Sequence, residues 1–221
     1  MKMNYQDEYN NKIKENVGKV LQELDTPEMI LKIKNWANRF SYSFEEIRQK
    51  IIDDEIFRCV FAKDPAKQNL YQTIAGKYIS SLEFVKNFQI LPASGKNSLY
   101  LDNGKILSGK ELKNKSKKTK SIDFYWEVGE NKFYATHKYT HEDGGAQDNQ
   151  YIDVQTFLKN AFDNDDKNTY FLAICDGEYY LQKDTQTNCK TRIEKLNKMC
   201  GKTSFAMQIN ELKEFLSKFN C

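Results

Sequence analysis

The sequence predicts an α/β fold, a mixed central sheet flanked by helices and preceded by an N-terminal helical segment. Three observations carry this. Residues 1–62 place their apolar side chains at helical spacing. The middle of the chain holds short apolar runs broken by turn residues, "SLYLDNGKIL" and "SIDFYWEVGENKFYATHK". The remainder alternates helical and strand patterns. The predicted order is helices, several adjacent strands, helix, strand, helix. Residues 1–62 then form a helical lobe, and 63–221 the α/β core.

The elements follow in order. Segment 8–24 has Ile13, Val17, Val20, Leu21 and Leu24 on one helical stripe. "DTPEMILKIKNWANRF" opens with Thr26 as N-cap, Pro27 at the first helical position and Glu28 in the first turn. "SFEEIRQKIIDDEIF" has Ser43 with Glu46 three residues on, a capping-box pattern. A further helix is expected from Asp64-Pro65, with Leu70, Ile74, Tyr78, Leu82 and Val85 as its stripe. Asn103-Gly104 between two apolar runs signals a hairpin. Two more strands are expected over Ile122–Val128 and Lys132–Tyr139. "AQDNQYIDVQTFLKNAF" is helical, "TYFLAICDG" is a buried strand, and "GEYYLQ" is expected to return beside it. "KTRIEKLNKMC" is helical, "KTSFAMQI" is a short strand, and "NELKEFLSKF" is a helix capped by Asn210.

Composition narrows the function class. The net charge is only +3, so the distribution of charge matters more than its sum. Polar first residues and the lack of any long apolar run lead us to expect neither export nor membrane spanning. Five cysteines, odd in number and without a CxxC pair, argue against a disulfide framework or zinc ribbon and fit a reducing cytoplasm. The two histidines, His137 and His141, lie four residues apart. Along a strand that is ~13 Å, too far to share an ion. His137 is expected on an apolar face. Phe124, Trp126, Phe133 and Tyr134 are expected in the core, and Cys175 is expected to pack rather than react.

Charge placement raises the functional question. Asp123 interrupts one apolar run and Lys138 closes the next. Strand side chains alternate faces, so Asp123, Tyr125 and Glu127 share one face, as do Tyr134, Thr136 and Lys138. A turn at Glu130-Asn131 would put Asp123 opposite Lys138, and a turn at Gly129-Glu130 would put it opposite Thr136. Either register brings Asp123, Thr136 and Lys138 onto one polar face. Such a group could be a cross-strand ion pair, contributing about 0–1 kcal/mol. It could equally be a phosphodiester-cleaving site, in which a carboxylate holds Mg²⁺ and a lysine steadies water or developing charge.

Asp123, followed after a hairpin by Thr136-His137-Lys138, resembles the PD-(D/E)XK nuclease motif. "LPASGKNSLYLDNGKI", "KSIDFYW…NKFYATHKYTHEDGGAQDNQYIDV" and "AICDGEYY" resemble type II restriction endonucleases, over roughly Asp64 to Phe219. The resemblance implies an αβββαβ core, Mg²⁺-dependent sequence-specific cleavage of double-stranded DNA, a homodimer, and a partner methyltransferase protecting the same site in the host. Asp123, Thr136 and Lys138 then take the catalytic positions. Thr136 departs from the pattern, since its slot normally holds an acid. Glu127 on the same face, Glu83 in the preceding helix or Asp143 after the strand could supply the missing carboxylate, and Asp123 with Glu127 is taken as the metal pair. The departure leaves open a non-catalytic DNA-binding protein, and the fold leaves open a structure-specific repair nuclease.

DNA contacts are expected in three places. Lys105–Lys120 holds seven lysines and one glutamate, including Lys115, Lys117 and Lys118, a run suited to phosphates. "SGKN" offers Lys96 and Asn97. After Gly144-Gly145, Gln147, Asn149 and Gln150 can reach phosphates or base edges. Gln147 and Tyr151 also resemble the QxxxY pattern of some nucleases in that superfamily.

Overall fold

The computed structural model describes residues 3–111, 120–140, 145–184 and 188–220. Two compact units form, Asn4–Ile74 and Ala75–Cys221. The first is helical: α1 (Tyr5–Glu23), α2 (Pro27–Phe40), α3 (Phe44–Asp53), α4 (Glu55–Arg58), a 3₁₀ turn (Pro65–Gln68) and the start of α5 (Leu70–Ser80). Local chemistry starts these helices where the sequence predicts. The Thr26 hydroxyl accepts from the Met29 amide at 3.3 Å. Ser43 and Glu46 exchange bonds at 2.7 and 3.2 Å. Val20, Leu24, Ile33, Ala37, Ile47, Ile51 and Phe61 fill the core of the unit. The unit continues past residue 62, because the Asn16 amide donates to the Lys63 carbonyl at 2.7 Å and Tyr71 packs on Tyr5 and Tyr9.

The long helix expected from Asp64 is not continuous. Asn69 adopts a left-handed conformation (φ 54°) that separates the 3₁₀ turn from α5. At the other end, the hydroxyls of Ser80 and Ser81 bond back to the carbonyls of Lys77 and Tyr78. Such bonds compete with helix propagation. Leu82 and Val85 therefore lie beyond α5, and Lys86–Ile90 forms strand β1.

The second unit is a mixed α/β domain. After β1 come β2 (Leu99–Asp102), β3 (Lys105–Ser108), β4 (Lys120–Ser121), β5 (Phe124–Val128), β6 (Asn131–Tyr139), α6 (Gly145–Ala161), β7 (Thr169–Asp176), α7 (Glu178–Leu181), α8 (Arg192–Asn197), β8 (Ser204–Met207) and α9 (Ile209–Ser217). The main sheet has five strands in the order β1-β5-β6-β7-β8. β1, β5 and β6 run antiparallel to their neighbours, and β6, β7 and β8 run parallel. The parallel pairs require crossovers, which α6 and the α7–α8 segment provide. A smaller sheet, β3-β2-β4, carries the predicted hairpin, with Asn103 and Gly104 both at positive φ (46° and 75°).

Helices cover both faces of the main sheet. On one, Val154, Phe157, Leu158 and Ala161 of α6 pack over Phe171, Ala173 and Cys175. On the other, the rings of Phe133 and Tyr170 meet Phe219, just beyond α9, at 5.3 and 4.7 Å. Phe124, Trp126, Val128, Phe133 and Ala135 are fully buried, as their alternation predicts. Two details differ from expectation. "GEYYLQ" turns into α7 rather than returning as a strand, since Gly177 at φ 99° redirects the chain and Tyr179 and Tyr180 are buried. The cap of α9 is Gln208 rather than Asn210; its amide donates to Glu211 Oε2 at 2.7 Å. The outer edge of β8 is occupied by a side chain: the Asn197 amide donates to the Ala206 carbonyl at 2.8 Å and accepts from its N–H at 2.9 Å.

Candidate functional site

The β5–β6 turn falls at Gly129-Glu130, since Val128 pairs with Asn131 and Phe124 with Ala135. This is the register that sets Asp123 opposite Thr136 rather than Lys138. Gly129 takes φ 58° there, a conformation glycine adopts without strain. Asp123 sits just before β5, where three chain segments meet. Its carbonyl accepts from the Leu91 amide and its amide donates to the Ala135 carbonyl, both at 2.8 Å. Its carboxylate Oδ2 accepts from the Thr136 hydroxyl at 3.1 Å and from the His137 backbone amide at 2.8 Å. Among the described residues, Oδ1 has no hydrogen-bond partner.

The expected Asp123–Lys138 ion pair does not form among the described residues. Lys138 lies further along β6, half-buried, and pairs in register with Cys175 of β7. Burial pushes the Cys175 thiol well above its usual range, with Asp176 and Cys200 adding to the shift and the Lys138 ammonium opposing it. Thr136 and Lys138 share the face covered by α6.

Glu127 is not brought to Asp123. Four strand residues separate them, about 13 Å. The Glu127 carboxylate is partly exposed at the far end of β5 and accepts from the Tyr125 hydroxyl, and from Asn87 at 2.6 Å. Those bonds, with Lys132 nearby, hold it below the usual carboxylate range. The pairing of Asp123 and Glu127 on one metal is therefore corrected. Glu83 lies just before β1, whose Lys86 pairs with Glu127, so it too belongs to that distant end. Asp143 lies outside the described residues, as does His141.

The other predicted contacts divide similarly. Lys96 and Asn97 are exposed on the loop joining β1 to β2. Both ends of that loop are fastened beside Asp123: Leu91 donates to the Asp123 carbonyl, and Ile122 donates to the Leu99 carbonyl at 2.8 Å. Asn149 is exposed on α6, and the Gln150 amide oxygen accepts from the Thr140 hydroxyl at 2.9 Å, tying α6 to the end of β6. Lys115, Lys117 and Lys118, and the side chain of Gln147, lie outside the described residues.

Sequence reasoning missed one partnership. His137 is buried as expected, but its Nε2 lies 3.2 Å from Asp176 Oδ2, and Asp176 Oδ1 accepts from the Ile209 amide at 2.9 Å. Asp176 reads in the sequence only as the end of a strand before glycine; nothing local pairs it with a histidine on another strand.

Mg²⁺ is commonly held by one or two carboxylates, with substrate phosphates and waters completing its six oxygens. Asp123 fits the lower limit of that description, with one oxygen anchored and one directed to no partner among the described residues. Those residues contain no cluster of three or more His, Cys, Asp or Glu suited to a metal.

No family model and no curated protein matches the chain. Among solved structures, protein VC1899 from Vibrio cholerae is similar over 98% of this chain and 55% of that one, at 9% identity and a TM-score of 0.36. The chain thus spans little more than half the length of that protein, and a similarity at this level carries no argument. Among the described residues, no helix is long and apolar enough to cross a membrane.

Proposed function

We propose that the chain is a Mg²⁺-dependent deoxyribonuclease of restriction type, hydrolysing phosphodiester bonds of double-stranded DNA at a specific sequence. The observation that carries this is the Asp123 carboxylate, locked by β6 through one oxygen, with Lys138 on the same sheet face. The Lys96–Asn97 loop is fastened to the backbone on either side of Asp123. That loop and the exposed Asn149 give the site polar and cationic groups for the DNA backbone.

In this function, Asp123 holds the metal and Thr136 holds Asp123. When bound, Mg²⁺ supplies charge neutralisation at the phosphate and a more acidic water. Lys138 keeps an ammonium at the reacting phosphate, orienting the attacking water and stabilising charge that develops on the phosphoryl oxygens. Half-burial strengthens that effect by lowering the local dielectric. A second copy of the chain would present two such sites to the two DNA strands, and a methyltransferase of the same specificity would protect host DNA in the cytoplasm.

A second reading has its own observation. Thr136 offers Asp123 a hydroxyl where a second acid would serve a metal better, which suits a DNA-binding protein that does not cut. Digestion of a sequenced plasmid with Mg²⁺, followed by mapping of the ends, separates the readings. Discrete fragments with ends at one sequence are expected. Asp123→Asn should abolish them, and Lys138→Ala should lower the rate by about two orders of magnitude or more. Ends at structural features rather than a sequence would indicate a repair nuclease. Binding without cleavage would favour the non-catalytic reading, and wild-type rates in both variants would remove the site assignment.

A further inference from the structure

One loop beside Asp123 is built more firmly than a strand connection requires. Residues 91–99, "LPASGKNSL", join β1 to β2. The two ends of this loop fasten to consecutive residues. The Leu91 amide donates to the Asp123 carbonyl, and the Leu99 carbonyl accepts from the Ile122 amide, both at 2.8 Å. A surface loop whose ends are drawn together in this way, and which packs on itself, projects from its scaffold as one body.

The loop is closed internally as well. Gly95 takes φ 101°, a conformation that a side chain would strain. Its carbonyl accepts from the Ser98 hydroxyl at 2.6 Å and from the Ser98 amide at 3.3 Å. Ser98 is fully buried, and its carbonyl accepts from the Gly109 amide at 2.8 Å. Gly109 follows β3 and approaches so closely that a Cβ there would overlap the Gly95 carbonyl oxygen. The backbone of the loop is thus held by Ile122 and Asp123 at its base and by Gly109 along its side.

What this frame presents is polar and uncommitted. Lys96 and Asn97 are exposed. Among the described residues, neither the Lys96 ammonium nor the Asn97 carboxamide has a hydrogen-bond or ion-pair partner. A fixed backbone under a free carboxamide is what base readout needs, because recognition groups must be held within about 0.5 Å of their productive place. The carboxamide also selects its partner, since it offers a donor and an acceptor side by side. In the major groove adenine alone presents the matching pair, its N6 amine and N7. Guanine presents two acceptors, cytosine a donor, and thymine an acceptor beside a methyl group. Lys96, a point charge on a flexible stem, suits a phosphate instead.

Resting on the DNA substrate proposed above, we propose that the 91–99 loop reads sequence beside the scissile phosphate, with the Asn97 carboxamide pairing with an adenine edge in the major groove and Lys96 holding the adjacent DNA backbone. Asn97 is then a specificity-determining residue, and Lys96 contributes affinity without choosing a base.

The test is selection of bound duplexes from a randomised pool in Ca²⁺, read by sequencing, for the full chain and for Asn97→Ala and Lys96→Gln. Asn11→Ala, at an exposed asparagine of α1, is the control. Mg²⁺ digestion of a plasmid carrying the selected sequence runs alongside. Asn97→Ala should lose about tenfold or more of the preference at one A·T pair, the scale of one bidentate contact, and keep the preference at the other positions. Lys96→Gln should weaken binding to every sequence alike, with the slope of log K against log salt falling by roughly 0.9. Asn11→Ala should select the wild-type sequence. Wild-type preferences in Asn97→Ala overturn the reading loop and leave the Asp123 site standing if the plasmid is cut. A loss confined to a G·C pair, or spread evenly over all positions, overturns the loop as well. The expected loss in a protein that binds but never cleaves supports the loop and overturns the nuclease. A wild-type chain that selects no sequence overturns both.

Discussion

Two aspartates reach the same residue of β6 and are used in opposite ways. Asp176 is buried, and both its oxygens are committed, Oδ2 to the His137 ring and Oδ1 to the Ile209 amide. It joins β7, β6 and the start of α9. Asp123 also bonds to His137, through the backbone amide, but the same oxygen accepts from Thr136, and its second oxygen has no partner among the described residues. Burial alone would single out Asp176. Under the proposed function, Asp123 differs from Asp176 in being an anchored group that keeps unused acceptor capacity.

Stability measurements should give the largest separation between the two. Asp176→Ala removes the partner of a buried ring and of a buried amide at once, and should cost about 2–5 kcal/mol, the scale of leaving two buried polar groups unsatisfied. Asp123→Asn keeps an oxygen for the Thr136 hydroxyl and the His137 amide, and should stay within about 1 kcal/mol of wild type. Urea unfolding of both variants checks this. Equal losses would erase the distinction between them.

Thr136→Glu should produce a smaller effect, and its sign is informative. It sets a second carboxylate against Asp123 on the same face of the sheet. Cleavage at limiting Mg²⁺ should rise several-fold, because two carboxylates hold the ion where one did. A fall would show that an acid beyond the described residues, such as Asp143, already fills that position, since like charges then crowd the site.

The smallest effect belongs to Glu127. The Tyr125 hydroxyl and Asn87 depress its pKa in the folded chain. A depressed acid contributes stability fully above its unfolded pKa, about 4.3, and loses it as pH falls through the folded value. The thermal midpoint of wild type should slightly exceed that of Glu127→Gln at pH 6–7, and the gap should close as pH falls through and below the ordinary carboxylate range. A gap that widens with acid would mean that Glu127 is not stabilised by these bonds.

Much of the fold was legible because its signals are local. Thr26, Ser43 and Asn103-Gly104 act through neighbours a few residues away, and the alternation over Ile122–Val128 and Asn131–Tyr139 needs only the period of a strand. The errors arose where distant packing decides the outcome. Leu82 and Val85 continue a helical stripe on paper, yet the chain after Ser81 joins the sheet as β1. "GEYYLQ" has the aromatic content of a strand, yet Gly177 and the burial of both tyrosines turn it into a helix. The candidate site shows the same division. Sharing a face was readable for Asp123, Thr136 and Lys138, whereas the register choosing Thr136 over Lys138 as the partner depended on the exact turn. Glu127 illustrates the limit of face-sharing: period two says which side a residue is on, but proximity also requires the same place along the strand.

The Asn197 side chain on β8 has a consequence for assembly. An open sheet ends in a row of unsatisfied donors and acceptors that invites a neighbour's strand to continue the ladder. Here the Ala206 peptide groups are already occupied by one carboxamide. At the opposite margin, β1 carries a register break between Lys86 and Gln89, with Asn87 at φ 52°, which twists that margin out of the flat geometry a neighbour would need. Both borders are therefore blunted at these points against extension by a further strand. If two copies of the chain pair around a duplex, as the proposed function implies, these borders direct the contact to helices or loops rather than to sheet extension.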